Sequence, residues 1–159
     1  AKDLTLLEEN RYSSLNKNSQ TQHSSDGMDI SLCAINLSDN TMQFSGANRP
    51  ILLFRNGELI EYKPNKFPIG GLYTNEKEFT DTDIQLQEND IIYFFTDGFI
   101  DQFGGKKGKK LKYSAFKEIL NEVSGFKLEK QHQLINDKFE FWKGDLEQLD
   151  DVCVMGVKI

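Results

Sequence analysis

The sequence predicts an α+β layered fold in one domain, on three observations. Short apolar runs of β-type spacing fill residues 28–96 and are separated by Asn, Asp and Gly. Helical periodicity opens the chain and returns after residue 113. The length of 159 residues, with 38% hydrophobic and 28% charged, suits a single core and not comfortably two.

Leu4, Leu7, Arg11 and Leu15 stand at near-helical spacing without Gly or Pro, which predicts an amphipathic helix over Asp3 to about Lys17. The polar, Ser-rich stretch from Asn16 to Gly27 reads as a loop. Strands are expected at Met28 to Leu37, Thr41 to Gly46, Ile51 to Arg55 and Glu58 to Tyr62. Asn56-Gly57 between apolar runs is a strong hairpin signal, so these strands form an antiparallel meander. Pro64 to Leu72, with Pro68 and Gly70-Gly71, should be irregular, after which Glu78 to Leu86 alternates. Ile91-Ile92-Tyr93-Phe94-Phe95 is continuous and apolar, the mark of a strand covered on both faces. Gly104 to Lys112 reads as a loop, Ser114 to Val123 and Leu128 to Trp142 as helices, and Val152 to Ile159 as a last strand.

The formal charge of −6 disfavours a phosphate backbone as partner, so nucleic-acid binding is not expected. No apolar run reaches the roughly 20 residues that span a bilayer, and no secretory-signal stretch opens the chain. Cys33 and Cys153 lie apart in apolar runs and read as buried reduced thiols, which fits a cytoplasmic location. His23 and His132 have no partner at ligand spacing. The chain begins with Ala, so a longer parent protein is expected, a larger membrane-anchored sensor of which this is the C-terminal part.

Chemistry is expected at strand ends, where a carboxylate escapes full desolvation. Asp97 follows the buried Ile91 strand, and Gly98 permits a sharp turn behind it. Asp150 and Asp151 precede the last strand. If that strand runs antiparallel to the Ile91 strand, all three carboxylates share one sheet edge. Such a set favours a hard cation, Mg²⁺ or Mn²⁺. Asp-Gly is also an ordinary turn dipeptide, and Asp-Asp before a strand is commonly a solvated edge. Asp101, one turn beyond Asp97, reads as an N-terminal helix charge sooner than as a ligand. Lys106, Lys107, Lys109, Lys110 and Lys112 form the one basic cluster of an acidic chain. They read as a solvated loop kept flexible by Gly104, Gly105 and Gly108, or as a docking site for an acidic or phosphorylated partner.

Asp26-Gly-Met-Asp-Ile-Ser-Leu-Cys, Phe44-Ser-Gly-Ala-Asn-Arg-Pro-Ile-Leu-Leu, Pro68-Ile-Gly, Tyr93-Phe-Phe-Thr-Asp-Gly-Phe-Ile-Asp-Gln and Asp150-Asp-Val-Cys-Val-Met-Gly-Val, in this order and spacing, resemble the stage II sporulation protein E (SpoIIE) type of bacterial serine phosphatase. These are metal-dependent protein phosphatases (PPM), and the resemblance runs from about Leu4 onward. It implies a β-sandwich flanked by helices, with two Mn²⁺ or Mg²⁺ ions and a metal-activated water. It implies Asp97 and Asp150 as metal ligands, with Gly98, Asp151 and Asp101 as further metal or supporting positions, and a phosphorylated protein as substrate. Two departures stand out. Ala47 occupies a position where many relatives carry His, and the family's opening strands, with their metal-bridging Asp, have no counterpart. Residues 1–159 are therefore expected to be the C-terminal two thirds of a phosphatase domain, inactive alone and prone to form a homo-oligomer. A noncatalytic β-sandwich interaction module is the rival expectation.

Overall fold

The computed structural model describes residues 4–6, 27–70 and 78–159. The described residues fall into two compact units, one within Ala1–Pro50 and Tyr62–Leu86, the other within Ile51–Glu61 and Gln87–Ile159. Residues 4–6 are helical; the remainder of the expected first helix, the Ser-rich loop up to residue 26, and Gly71-Leu72 lie outside the described residues.

In the first unit, β2 (Ile30–Asn36), β3 (Thr41–Ala47) and β7 (Thr82–Gln85) form an antiparallel sheet in the order β2-β3-β7. The β2–β3 turn is built by Asp39, whose carboxylate accepts from Thr41 N at 3.1 Å and Thr41 Oγ1 at 2.7 Å, while Asn40 takes a left-handed φ of 54°. The expected strand from Met28 is split at Asp29. Its carboxylate is drawn off by Asn48 Nδ2 (2.9 Å) and Arg49 (3.5 Å), so β1 (Gly27–Met28) pairs separately with β6 (Ile69–Gly70). A two-residue strand thus interrupts the segment expected to be irregular. The strand expected over Glu78 to Leu86 shortens to β7, because Asn65 Oδ1 receives Thr80 N at 3.1 Å and holds the preceding residues off the ladder. Leu4, Ala47, Ile69 and Phe79 make a small buried cluster.

The second unit carries the larger core. Its sheet runs β11-β8-β4-β5, from β4 (Ile51–Arg55), β5 (Glu58–Tyr62), β8 (Ile91–Phe95) and β11 (Val154–Lys158). Asn56 and Gly57 both have positive φ, 50° and 86°, as a two-residue type I′ hairpin turn requires. Helices α1 (Asp97–Asp101), α2 (Tyr113–Val123) and α3 (Leu128–Lys143) complete it. Leu52, Ile91 and Tyr93 pack with Phe99, Phe116, Leu120 and Phe139, and the Phe116 ring lies 4.8 Å from Phe95 and 4.9 Å from Phe99. Ile92, on the other face of β8, is also fully buried, as its continuous apolar run predicted. Two polar devices sit inside this core. Arg55 clamps the buried Asp90 at 2.9 and 2.6 Å, and Tyr93 donates to Gln131 Oε1 at 2.7 Å. No helix among the described residues is long and apolar enough to cross a membrane.

Candidate active site

β11 pairs antiparallel with β8 in the register Val154↔Phe95, so the end of β8 and the approach to β11 meet at one sheet edge. Thr96 stitches them together. Its backbone N–H donates to the Cys153 carbonyl at 3.0 Å, and its Oγ1 donates to the Asp151 carbonyl at 2.8 Å and accepts from Cys153 N–H at 2.9 Å. One hydroxyl therefore serves as donor and acceptor to the same strand lead-in. Its position at the strand end, in Thr-Asp-Gly, was the available signal, and sequence reasoning passed over it in favour of the acid.

Asp97 opens α1 rather than a sharp turn, a favourable place for an acid at the positive end of a helix. Gly98 has no positive φ; its value is closeness. A Cβ there would strike the Asp151 carbonyl oxygen and lie 2.9 Å from that carbonyl carbon and 3.3 Å from the carbonyl carbon of Asp150. Glycine thus admits the Asp150-Asp151 backbone against the first turn of α1. Asp150 is ordered in turn, with Oδ1 accepting from Asp151 N–H at 2.7 Å and its carbonyl accepting from Gln148 at 2.9 Å.

The structure therefore sets Asp97-Gly98 against the Asp150-Asp151 backbone at one sheet edge, but does not converge the three carboxylates as expected. Asp101 is not gathered with them: it closes α1 and forms a 2.8 Å ion pair with Lys110. It sits in the last turn, not the first, so it is no N-terminal helix charge. The lysine cluster, expected as a loop, forms a hairpin. β9 (Phe103–Gly104) pairs antiparallel with β10 (Lys109–Lys110), and Gly105 N–H donates to the Trp142 carbonyl at 2.8 Å. Of the thiols, Cys33 is partly buried and burial pushes it up to about 12, whereas Cys153 is exposed, since it precedes the outermost strand. Ala47, in the first unit, is fully buried at the end of β3. His132 is exposed, and His23 lies outside the described residues.

Carboxylate oxygens suit Mg²⁺ or Mn²⁺ in kind. In number they do not close a shell, for among the described residues no three His, Cys, Asp or Glu side chains gather closely enough to hold a metal.

Comparison with known proteins agrees with this architecture. The family model for stage II sporulation protein E (SpoIIE) matches residues 5–159. No curated protein matches the chain in sequence. The SiaA-PP2C domain of Pseudomonas aeruginosa superposes with a TM-score of 0.74 at 23% identity, covering 82% of this chain and 51% of that one. The phosphatase domain of SpoIIE from Bacillus subtilis gives 0.60 at 16%, covering 92% and 64%. The RsbU and RsbW domains of a Mycobacterium tuberculosis protein give 0.62 at 18%, covering 91% and 39%. The chain thus spans about half to two thirds of the first two, and it shares their α+β, PP2C-like fold. With the family model running over nearly its whole length, the chain belongs to the SpoIIE family.

Proposed function

We propose that the chain is the larger part of the catalytic domain of a metal-dependent serine/threonine phosphoprotein phosphatase acting in bacterial signalling in the cytoplasm. One observation carries the reading: in a SpoIIE-family chain, Thr96 and Gly98 hold the Asp150-Asp151 backbone against the start of α1, where Asp97 sits. Asp97 and Asp150 are the residues that would hold Mn²⁺ or Mg²⁺, with Asp151 in support. When bound, such ions supply an activated water and neutralise phosphoryl charge during in-line displacement. The chain's own part is to fix the carboxylates. Thr96 ties their two backbones, Gly98 removes the side chain that would part them, and the buried β8 beneath is too well packed to let them drift. A covalent route through Cys33 is disfavoured, since burial keeps that thiol protonated far above neutral pH.

The test is hydrolysis of p-nitrophenyl phosphate by the parent protein. Turnover is expected only with Mn²⁺ or Mg²⁺ and is abolished in Asp97→Asn. Undiminished activity in that variant, or in chelator, overturns the assignment, and a folded protein with no metal-dependent turnover points instead to a noncatalytic interaction module.

We further propose that the 159-residue chain is inactive by itself, because its carboxylates leave cation charge under-compensated. Calorimetric titration with Mn²⁺ is expected to give at most one weak site. Two tight sites would mean that the shell is complete, within this chain or with a second copy of it.

A further inference from the structure

Five of the seven residues 106–112 are lysine in a chain of net charge −6, and the simplest account is a mobile, solvated loop. The structure sets against that account a hairpin pinned at its base, because two of its three glycines, Gly104 and Gly105, serve contact with Trp142. A Cβ on Gly104 would collide with the Trp142 backbone, and one on Gly105 would lie 2.9 Å from the Trp142 ring. Gly105 and Gly108 supply the positive φ values, 63° and 54°, of the tip. The base is closed by Leu111 N–H to the Gln102 carbonyl (3.0 Å) and Trp142 Nε1 to the same oxygen (3.0 Å), and the Gln102 side chain binds the Glu147 carbonyl at 3.0 Å. The lysines are thus held together on a pinned hairpin.

Little neutralises them. Lys110 pairs with Asp101, while Lys106, Lys107, Lys109 and Lys112 are exposed and, among the described residues, form no ion pair. The next element adds to the charge: α2 has Lys112 at its N-cap and no acidic residue in its first turn, the reverse of what the helix dipole favours. Positive charge is therefore concentrated against local stability, on an otherwise acidic surface that would turn an acidic partner away elsewhere. The hairpin is also tied to the candidate active site, since Lys110 pairs with the residue that closes α1 and Asp97 opens that one-turn helix.

We propose that the hairpin 103–110 with Lys112 is the docking surface for a carboxylate-rich segment of the protein substrate. This rests on the phosphatase reading for the word substrate, but not for the binding itself. A single-stranded nucleic acid is the poorer occupant, because the hairpin offers one exposed ring, Phe103, and not a row of aromatics on which successive bases could stack.

The experiment is fluorescence anisotropy with a labelled hexaglutamate peptide, the full 159-residue chain, and no added metal. Binding is expected to weaken with rising salt. Three exposed ion pairs at two- to threefold each predict a loss of about tenfold in K106Q/K107Q/K109Q. K127Q/K130Q/K158Q, which removes the same charge from exposed positions outside the hairpin, should bind as the parent does, and circular dichroism checks the fold of both. Asp97→Asn in this chain should also bind unchanged. Retained binding together with undiminished turnover of the parent protein's Asp97→Asn variant would fail the phosphatase reading alone, whereas metal-dependent turnover of the parent with no loss of binding in the hairpin variant would fail this proposal alone. Equal binding by the hairpin variant, equal binding of a neutral Gly-Ser peptide, or tighter binding of oligo-dT or of anionic phosphatidylserine vesicles overturns the proposal.

Discussion

The two units are held by different means. In the second, four strands lie with three helices over a cluster of rings, Phe95, Phe99, Phe116 and Phe139, linked by ring contacts of 4.8–5.0 Å. In the first, the cluster of Leu4, Ala47, Ile69 and Phe79 is small, Met42, Phe44 and Ile84 are buried along the strands, and side-chain clasps at Asp39, Asn65 and Asp29 shape the turns. Dispersion summed over a large cluster makes a stiff platform, whereas clasps shape loops without adding much burial. The candidate carboxylates stand on the stiff platform, as a site that must hold its geometry requires.

The largest test of this contrast is Phe116→Ala, which should cost about 3–5 kcal/mol of unfolding free energy in urea. Phe79→Ala in the first unit, where the ring lies 4.9 Å from Phe67 in a smaller cluster, should fall at the lower end, about 3 kcal/mol. Equal losses would break the comparison. Gly98→Ala follows, at about 1–3 kcal/mol from overpacking against Asp151, with loss of phosphatase turnover far beyond what that destabilisation explains. Wild-type kcat in this variant would show that the close approach of the two backbones is not needed.

Tyr93→Phe leaves Gln131 Oε1 buried without its donor and should cost about 1–3 kcal/mol. Burial pushes the Tyr93 hydroxyl from 10 up to about 12. A folded-state value above the unfolded one means that this stabilisation is whole below pH 10 and is lost as pH rises from 10 to 12. Urea midpoints across that range should fall more steeply for the parent than for Tyr93→Phe. The smallest effect is expected for Asn65→Ala, about 1 kcal/mol, since its clasp on Thr80 is exposed.

Much of this arrangement was legible in the sequence, and the failures share a cause. The β2–β3 and β4–β5 hairpins, the Asn56-Gly57 turn and the two late helices are local patterns, set by residues within a few positions of each other. The expected four-strand meander does not form, because β3 takes β7 as its other neighbour and β4 takes β8. The shared sheet edge of Asp97 with Asp150 and Asp151 followed from a single antiparallel pairing, which is why it could be anticipated. Convergence of the three side chains, which pairing alone does not set, is not found among the described residues. The break at Asp29 could not, because it depends on Asn48 and Arg49 about twenty residues away. Gly98 was singled out for the wrong reason: turn chemistry is visible locally, but the backbone it admits lies more than fifty residues on. The same blindness made Gly104 and Gly105 read as sources of loop flexibility, when they are contact points for Trp142.

Trp142 is the only tryptophan of the chain. Its indole lies against Gly105, and its Nε1 donates to the Gln102 carbonyl at the base of the lysine hairpin. The protein thus carries one intrinsic fluorophore, placed at the joint between that hairpin and α3. Emission wavelength and quenching by iodide or acrylamide report on this joint without any label, so seating or release of the hairpin can be followed in unmodified protein as an optical signal.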